Sequence, residues 1–149
     1  MNINPNGVEI VRVYTREFGG TIADTTPHVT APTFHFQVVV EAEAGSVKQG
    51  DGSPYRFAIE AFDLTTGNKP PGAFSKVANG YFTGGPPPAG WPAHSEVFTI
   101  TLTAAEATAV EDHILRYVAS LVTPPPGPGV TPQIVSFAES PLFIVVAAL

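Results

Sequence analysis

Between Phe34 and Ala44 apolar and polar side chains alternate. Phe34, Phe36, Val38, Val40, Ala42 and Ala44 share one parity, and His35, Gln37, Val39, Glu41 and Glu43 the other. A period of two is the mark of a β-strand with one face in a core and one in water. His94 to Leu102 has the same pattern, with Phe98, Ile100 and Leu102 set against Val97, Thr99 and Thr101. In Tyr55 to Leu64, residues Tyr55, Phe57, Ile59 and Ala61 face one way and Arg56, Ala58, Glu60 and Phe62 the other. This strand follows the turn-rich Gly50-Asp51-Gly52-Ser53-Pro54 and is predicted to form a hairpin with the Phe34 strand. Val8 to Thr15 is an earlier strand with apolar residues on both parities, which leaves its buried face ambiguous. Ile114 to Val122 is a further strand. Gln133 to Leu149 reads as one long strand interrupted near Ser140-Pro141, where a bulge or a change of sheet is expected.

Other segments break the alternation. Thr103-Ala104-Ala105-Glu106 has the spacing of a capping box, so a short helix is predicted over Ala104 to Val110. Asn79-Gly80 suits a type I′ turn and suggests a weak strand pair within Ala73 to Thr83. Gly84 to Pro92 and Thr123 to Pro132 are too rich in proline to join a ladder and are predicted to be rigid extended loops. About seven or eight short strands between such turns imply an all-β fold in one domain over residues 1–149. The small helix joining two late strands resembles the crossover of some immunoglobulin-like sandwiches, so the expected fold is an immunoglobulin-like antiparallel β-sandwich. The paired cysteines and strand-borne tryptophan of antibody-type domains are missing, and Tyr117 is the candidate for a tyrosine corner.

Composition narrows the partners. Only 13% of residues are charged and the net charge is -6, with seven Lys and Arg scattered from Arg12 to Arg116. Nucleic-acid binding requires clustered cations, so none is expected. No cysteine is present, which excludes disulfides and thiolate metal sites. The longest apolar run, Leu142 to Leu149, is far short of the roughly 20 residues of a membrane-spanning helix, so no membrane partner is expected. Met1 to Gly7 has neither a basic region nor an apolar stretch, so it does not read as a signal peptide, and a cytoplasmic or virion-associated location is the expectation.

Candidate chemistry is sparse. His94 and Glu96 project from one strand face, yet a zinc site needs at least one more protein ligand, and they read as two solvent-facing polar residues. His35 and Glu41 lie roughly 20 Å apart along their strand and cannot act together. Asp112-His113 could orient an imidazole, but no serine sits in a nucleophile elbow, and a polar turn at a helix end is the ordinary reading. Gly50-Asp51-Gly52-Ser53 offers one carboxylate where calcium takes six or more oxygens. No metal and no cofactor is expected, and no enzymatic activity.

The expected function is therefore that of a non-enzymatic structural or adaptor domain making protein–protein contacts in a larger assembly, either a homo-oligomer or the surface of a particle such as a virion. Weak charging on outer-face positions such as Val39, Val97, Thr99, Thr101 and Ala58 suggests faces covered by a neighbour. Tyr81, Phe82, Pro88 and Trp91 are the expected loop-tip contacts, with Trp91 either a rigid anchor or a lid on the core. Leu142, Phe143 and Ile144 supply a second contact, because the terminal run is apolar on both faces and needs a two-sided position or a partner strand. The alternative is a carbohydrate-binding sandwich presenting Trp91, Tyr81 and Tyr55 to a glycan.

Overall fold

The alternating stretch Phe34–Ala44 is the central strand of a three-stranded sheet in the computed structural model, which describes residues 6–82, 93–125, 127–129, 131 and 133–148. In chain order the strands are β1 (Val8–Glu17), β2 (His28–Thr30), β3 (Phe34–Ala44), β4 (Pro54–Asp63), β5 (Lys76–Tyr81), β6 (Ala93–Leu102), β7 (Leu115–Thr123), β8 (Ile134–Glu139) and β9 (Val146–Ala148). A single α-helix among the described residues, α1 (Ala104–Ala109), joins β6 to β7. One sheet has the order β1-β3-β6 and the other β5-β4-β7-β8, both antiparallel, while β2 and β9 form a short parallel pair. The architecture is an immunoglobulin-like antiparallel β-sandwich.

The two sheets bury the parities that the alternation assigns to the core. Phe36, Val38 and Val40 of β3 face inward with Phe57 and Ile59 of β4 and Tyr117, Ala119 and Leu121 of β7, all buried. The helix forms where the capping box predicts it: Thr103 Oγ1 accepts from the Glu106 amide at 3.1 Å, and Glu106 Oε1 accepts from the Thr103 amide at 2.8 Å. The second Glu106 oxygen accepts from the Ala73 amide at 3.2 Å, tying the helix to the segment before β5. Gly72 is required there, because its φ is +113° and a Cβ would overlap the Glu106 carboxylate.

Several expectations are corrected. The β3 and β4 strands do not form a hairpin. They lie in opposite sheets, and the connection between them is a 3-10 turn over Lys48–Gly50 followed by the Asp51 turn. The half-buried Asp51 carboxylate pairs with the buried Lys48 ammonium at 2.9 Å and accepts from the Ser53 amide and hydroxyl at 2.9 and 2.6 Å, so it locks a corner. Nor is Asn79-Gly80 a turn, since β5 runs through it as one strand paired to β4. Glycine stands at position 80 because the Tyr55 ring lies against its backbone, where any Cβ would collide with it.

The ambiguity of the first strand has a physical cause. A register shift between Ile10 and Arg12 changes the parity of β1, so Val8 and Ile10 are buried before it and Val13 and Thr15 after it. The terminal segment changes partner near Ser140-Pro141. After β8, Phe143 bridges Leu115 and the chain then pairs in parallel with β2, through the Ile144 amide on Thr25 O at 2.9 Å and the Val146 amide on Pro27 O at 3.0 Å. On one side the two sheets are joined by the Ile10 amide, which donates to Ser136 Oγ at 3.0 Å across the β1 and β8 edges.

Tyr117 does not make the short upstream bond of a tyrosine corner. Its fully buried phenol donates to the Phe74 carbonyl at 2.9 Å, pinning the loop before β5 beneath the core. Burial pushes its pKa well above the usual phenol value, so the hydroxyl remains a donor. Tyr117→Phe should leave that buried carbonyl without a partner and lower unfolding stability by about 1–3 kcal/mol, measured as a lower urea midpoint at unchanged m-value. An unchanged midpoint would show that the bond contributes nothing.

Candidate functional site

The outer face of the four-stranded sheet carries an exposed apolar groove, and its shape follows from one cross-strand row. Val77 of β5 pairs with Ala58 of β4, Ala58 with Ser120 of β7, and Ser120 with Phe137 of β8. Two small residues thus lie between two large ones, which stand 58% and 68% exposed. The result is a groove floored by Ala58 and Ser120, walled by Val77 and Phe137, and continued by Phe62 and Val118. Val135 and Leu64 extend the exposed apolar surface beyond it.

Two ion pairs border this face. Lys69 pairs with Glu60 at 2.8 Å and reaches over the Phe62 ring, while Arg116 pairs with Glu139 at 3.3 Å. Such exposed pairs contribute little to stability, and Lys76 adds a cation to the groove lining. The outer face of the other sheet differs. There Val39 is buried between its register partners Tyr14 and Val97, the Arg12 guanidinium lies 4.2 Å from the Tyr14 ring centroid, and Arg16, Gln37 and Thr99 form a side-chain hydrogen-bond ladder. Its polar cover is supplied from within.

Two of the expected contact residues are buried. Phe82 is completely buried, because backbone bonds with Gly52 and Ser53 on both sides of it turn the ring inward against Tyr55 and the Lys48 ammonium. Phe143 is also buried, its ring stacked on Tyr117 at 5.5 Å. Neither is available as a contact on the surface of the protomer. Tyr81 is 66% exposed at the end of β5, Leu142 is exposed and Ile144 is half-buried. Leu142 and Ile144 line a shallow depression with Thr25, Thr26 and Ile114. Pro88 and Trp91 lie outside the described residues. Tyr55 is buried against Phe57 and Phe82, so it cannot join a sugar-binding platform with Tyr81.

The titratable pairs are placed differently from expectation as well. His94 and Glu96 do share a face, with Nε2 at 3.4 Å from Oε1, but it is the inward face of β6. Both side chains are half-buried at the rim of the sandwich, where His94 stacks on Phe57. His35 stacks on the exposed Phe18 ring at 3.7 Å. His113 takes its partner from a distant strand end. Asp112 adopts a left-handed turn with φ of 60°, and the His113 ring meets Asp63 of β4, Nδ1 to Oδ2 at 2.5 Å. An ionised carboxylate only accepts, so Nδ1 carries the proton. The same carboxylate accepts from the Thr65 and Thr66 amides at 2.9 and 3.2 Å. Among the described residues no second hydrogen-bond partner of the His113 ring is seen.

Val77, Ser120 and Phe137 were not among the expected contacts. Their signal lay in Val118, Val122, Val135 and Phe137, apolar side chains on the parity that the sandwich turns outward.

No family model matches the chain, and no curated protein matches it. Among solved structures it is similar to a transglutaminase of red sea bream, at 17% identity and a TM-score of 0.47, over 93% of this chain and 16% of that one. It is also similar to Spo0M, a sporulation control protein of Bacillus subtilis, at 17% identity and a TM-score of 0.39, over 95% of this chain and 50% of that one. The chain thus spans half or less of the length of each.

The Asp63 carboxyl has a testable titration. Burial pushes its pKa up, but the hydrogen bond from His113, the two amides and the charge of His113 together outweigh burial and hold it below the ordinary value. A depressed carboxylate stabilises the fold fully above its unfolded pKa of about 4, and that contribution is lost as pH falls through the lower folded value. Asp63→Asn should therefore be less stable than wild type at neutral pH and should lose less stability between roughly pH 4 and pH 2. Urea midpoints across that range check this, and parallel curves for the two proteins would count against it.

Proposed function

We propose that this protein is a non-enzymatic structural or adaptor domain that makes protein–protein contacts in a larger assembly, using the outer face of its four-stranded sheet. The observation that carries the reading is the Val77, Ala58, Ser120 and Phe137 row, an apolar knob and groove set side by side on one exposed face. Large exposed apolar side chains grouped on one patch are the usual mark of an interaction surface, and an aromatic at its centre is the usual anchor. A face bearing both knob and groove can meet a second copy of itself about a two-fold axis, as an isologous dimer requires. Homo-oligomerisation is accordingly the form of assembly to test first, and the surface of a particle built from many copies extends the same contact.

Burying one phenylalanine contributes about 1.5–3 kcal/mol and a two-fold contact buries one from each copy, so Phe137→Asp should weaken self-association by at least roughly 100-fold. Ser120→Arg, which fills the groove floor from the outside, should do the same without disturbing the core. Light scattering coupled to size exclusion, run over a concentration series, reads both. Wild type that remains monomeric at the highest concentrations would eliminate self-assembly, and variants that associate as strongly as wild type would eliminate this face.

A further inference from the structure

We infer that Glu17, Asp24 and His28 form a binding site for one divalent transition-metal ion, with zinc the best match. Glu17 is the last residue of β1, Asp24 lies in the loop that follows, and His28 opens β2, so three stretches of chain converge. One ligand atom from each side chain lies within 4.8 Å of the others. Around tetrahedral zinc, neighbouring donors stand about 3.3 Å apart, so closure needs tip movements of about 1.5 Å at side chains with room to move. Among the described residues this is the one group of three such donors.

The local structure holds these donors in place. The Asp24 amide donates to Thr15 O at 2.8 Å, and Thr15 Oγ1 donates to Asp24 O at 2.6 Å. One Asp24 carboxylate oxygen accepts from the Thr26 amide at 2.8 Å, and the other makes no hydrogen bond among the described residues. His28 Nδ1 already sits 3.0 Å from Glu17 Oε1. An imidazole beside two carboxylates suits zinc and its neighbours, whereas calcium and magnesium take shells of oxygen. His35, His94 and His113 are placed elsewhere, the first stacked on Phe18, the second beside Glu96 and the third beside Asp63.

The site has a structural reach beyond its ligands. The segment between Asp24 and His28 supplies the Thr25 and Pro27 carbonyls that receive the Ile144 and Val146 amides. An ion held here secures the docking of β9.

Zinc titrated into the full chain in chelator-free buffer tests the site by calorimetry, thermal melting and hydrogen exchange. One ion per chain is expected, with a rise in Tm of roughly 5–10 °C at 100-fold excess over Kd and slower exchange at the Ile144 and Val146 amides. His28→Ala and Glu17→Gln should each weaken binding at least tenfold, and His94→Ala should leave it unchanged. Glu17 is exposed, so its variant carries the test should His28→Ala fold poorly. Absence of saturable heat in wild type, undiminished binding in Glu17→Gln, or loss of binding in His94→Ala would overturn the site. Exchange at Ile144 and Val146 that ignores zinc would overturn its link to β9.

Discussion

Two β-sheets pack about 10 Å apart, and the gap between them must be filled without voids. In this protein four aromatic rings from four distant parts of the chain fill it at one level. Phe36 from the three-stranded sheet meets Phe74 at 6.4 Å, Tyr117 at 6.4 Å and Phe143 at 5.9 Å between ring centroids. Tyr117 adds the only polar atom of the group, and its bond to the Phe74 carbonyl removes the cost of burying both. That cluster determines where the loop before β5 lies and draws the segment after β8 into the core. The inward parity of every main strand is set around it, and so is the parity left outside.

The outer groove is a consequence of that division. Once Tyr117, Ala119 and Leu121 of β7 point inward, Val118, Ser120 and Val122 must point outward, and register with β8 places Phe137 beside Ser120. The core needs nothing from Phe137 or Val77, which stand largely exposed. The opposite face is covered by its own Arg12–Tyr14 and Arg16–Gln37–Thr99 contacts, and this asymmetry between the two faces is what favours a contact role for one of them.

Strand positions were largely legible in the sequence because the pleat imposes period two on any half-buried strand, as in Phe34–Ala44, and because the capping box is a local signal. Pairing was less legible. The turn at Gly50 to Pro54 looks like a hairpin loop, but whether it returns the chain to its own sheet or carries it across depends on the Lys48, Asp51 and Ser53 contacts. Gly80 looks like a turn residue because glycine serves both turns and close approach, and only the Tyr55 ring decides between them. The contact residues were legible only in part. Exposure of Tyr81 and Leu142 against burial of Phe82 and Phe143 depends on a side chain's parity within ladders whose registers the sequence does not state. The Asp63–His113 and Glu17–Asp24–His28 groupings join residues separated by loops, and no spacing rule connects them.

The position of Phe143 bears on how the chain folds. Its partners Phe36, Phe74 and Tyr117 are all made earlier in synthesis, yet the gap they line remains unfilled until the segment after β8 arrives, and β2 has no described ladder partner other than β9. A nascent chain lacking that segment would present an open aromatic cleft, the kind of surface that chaperones hold and that promotes aggregation. The segment from Phe143 to β9 therefore acts as a latch on the sandwich, closing it only once that stretch has followed β8 into place.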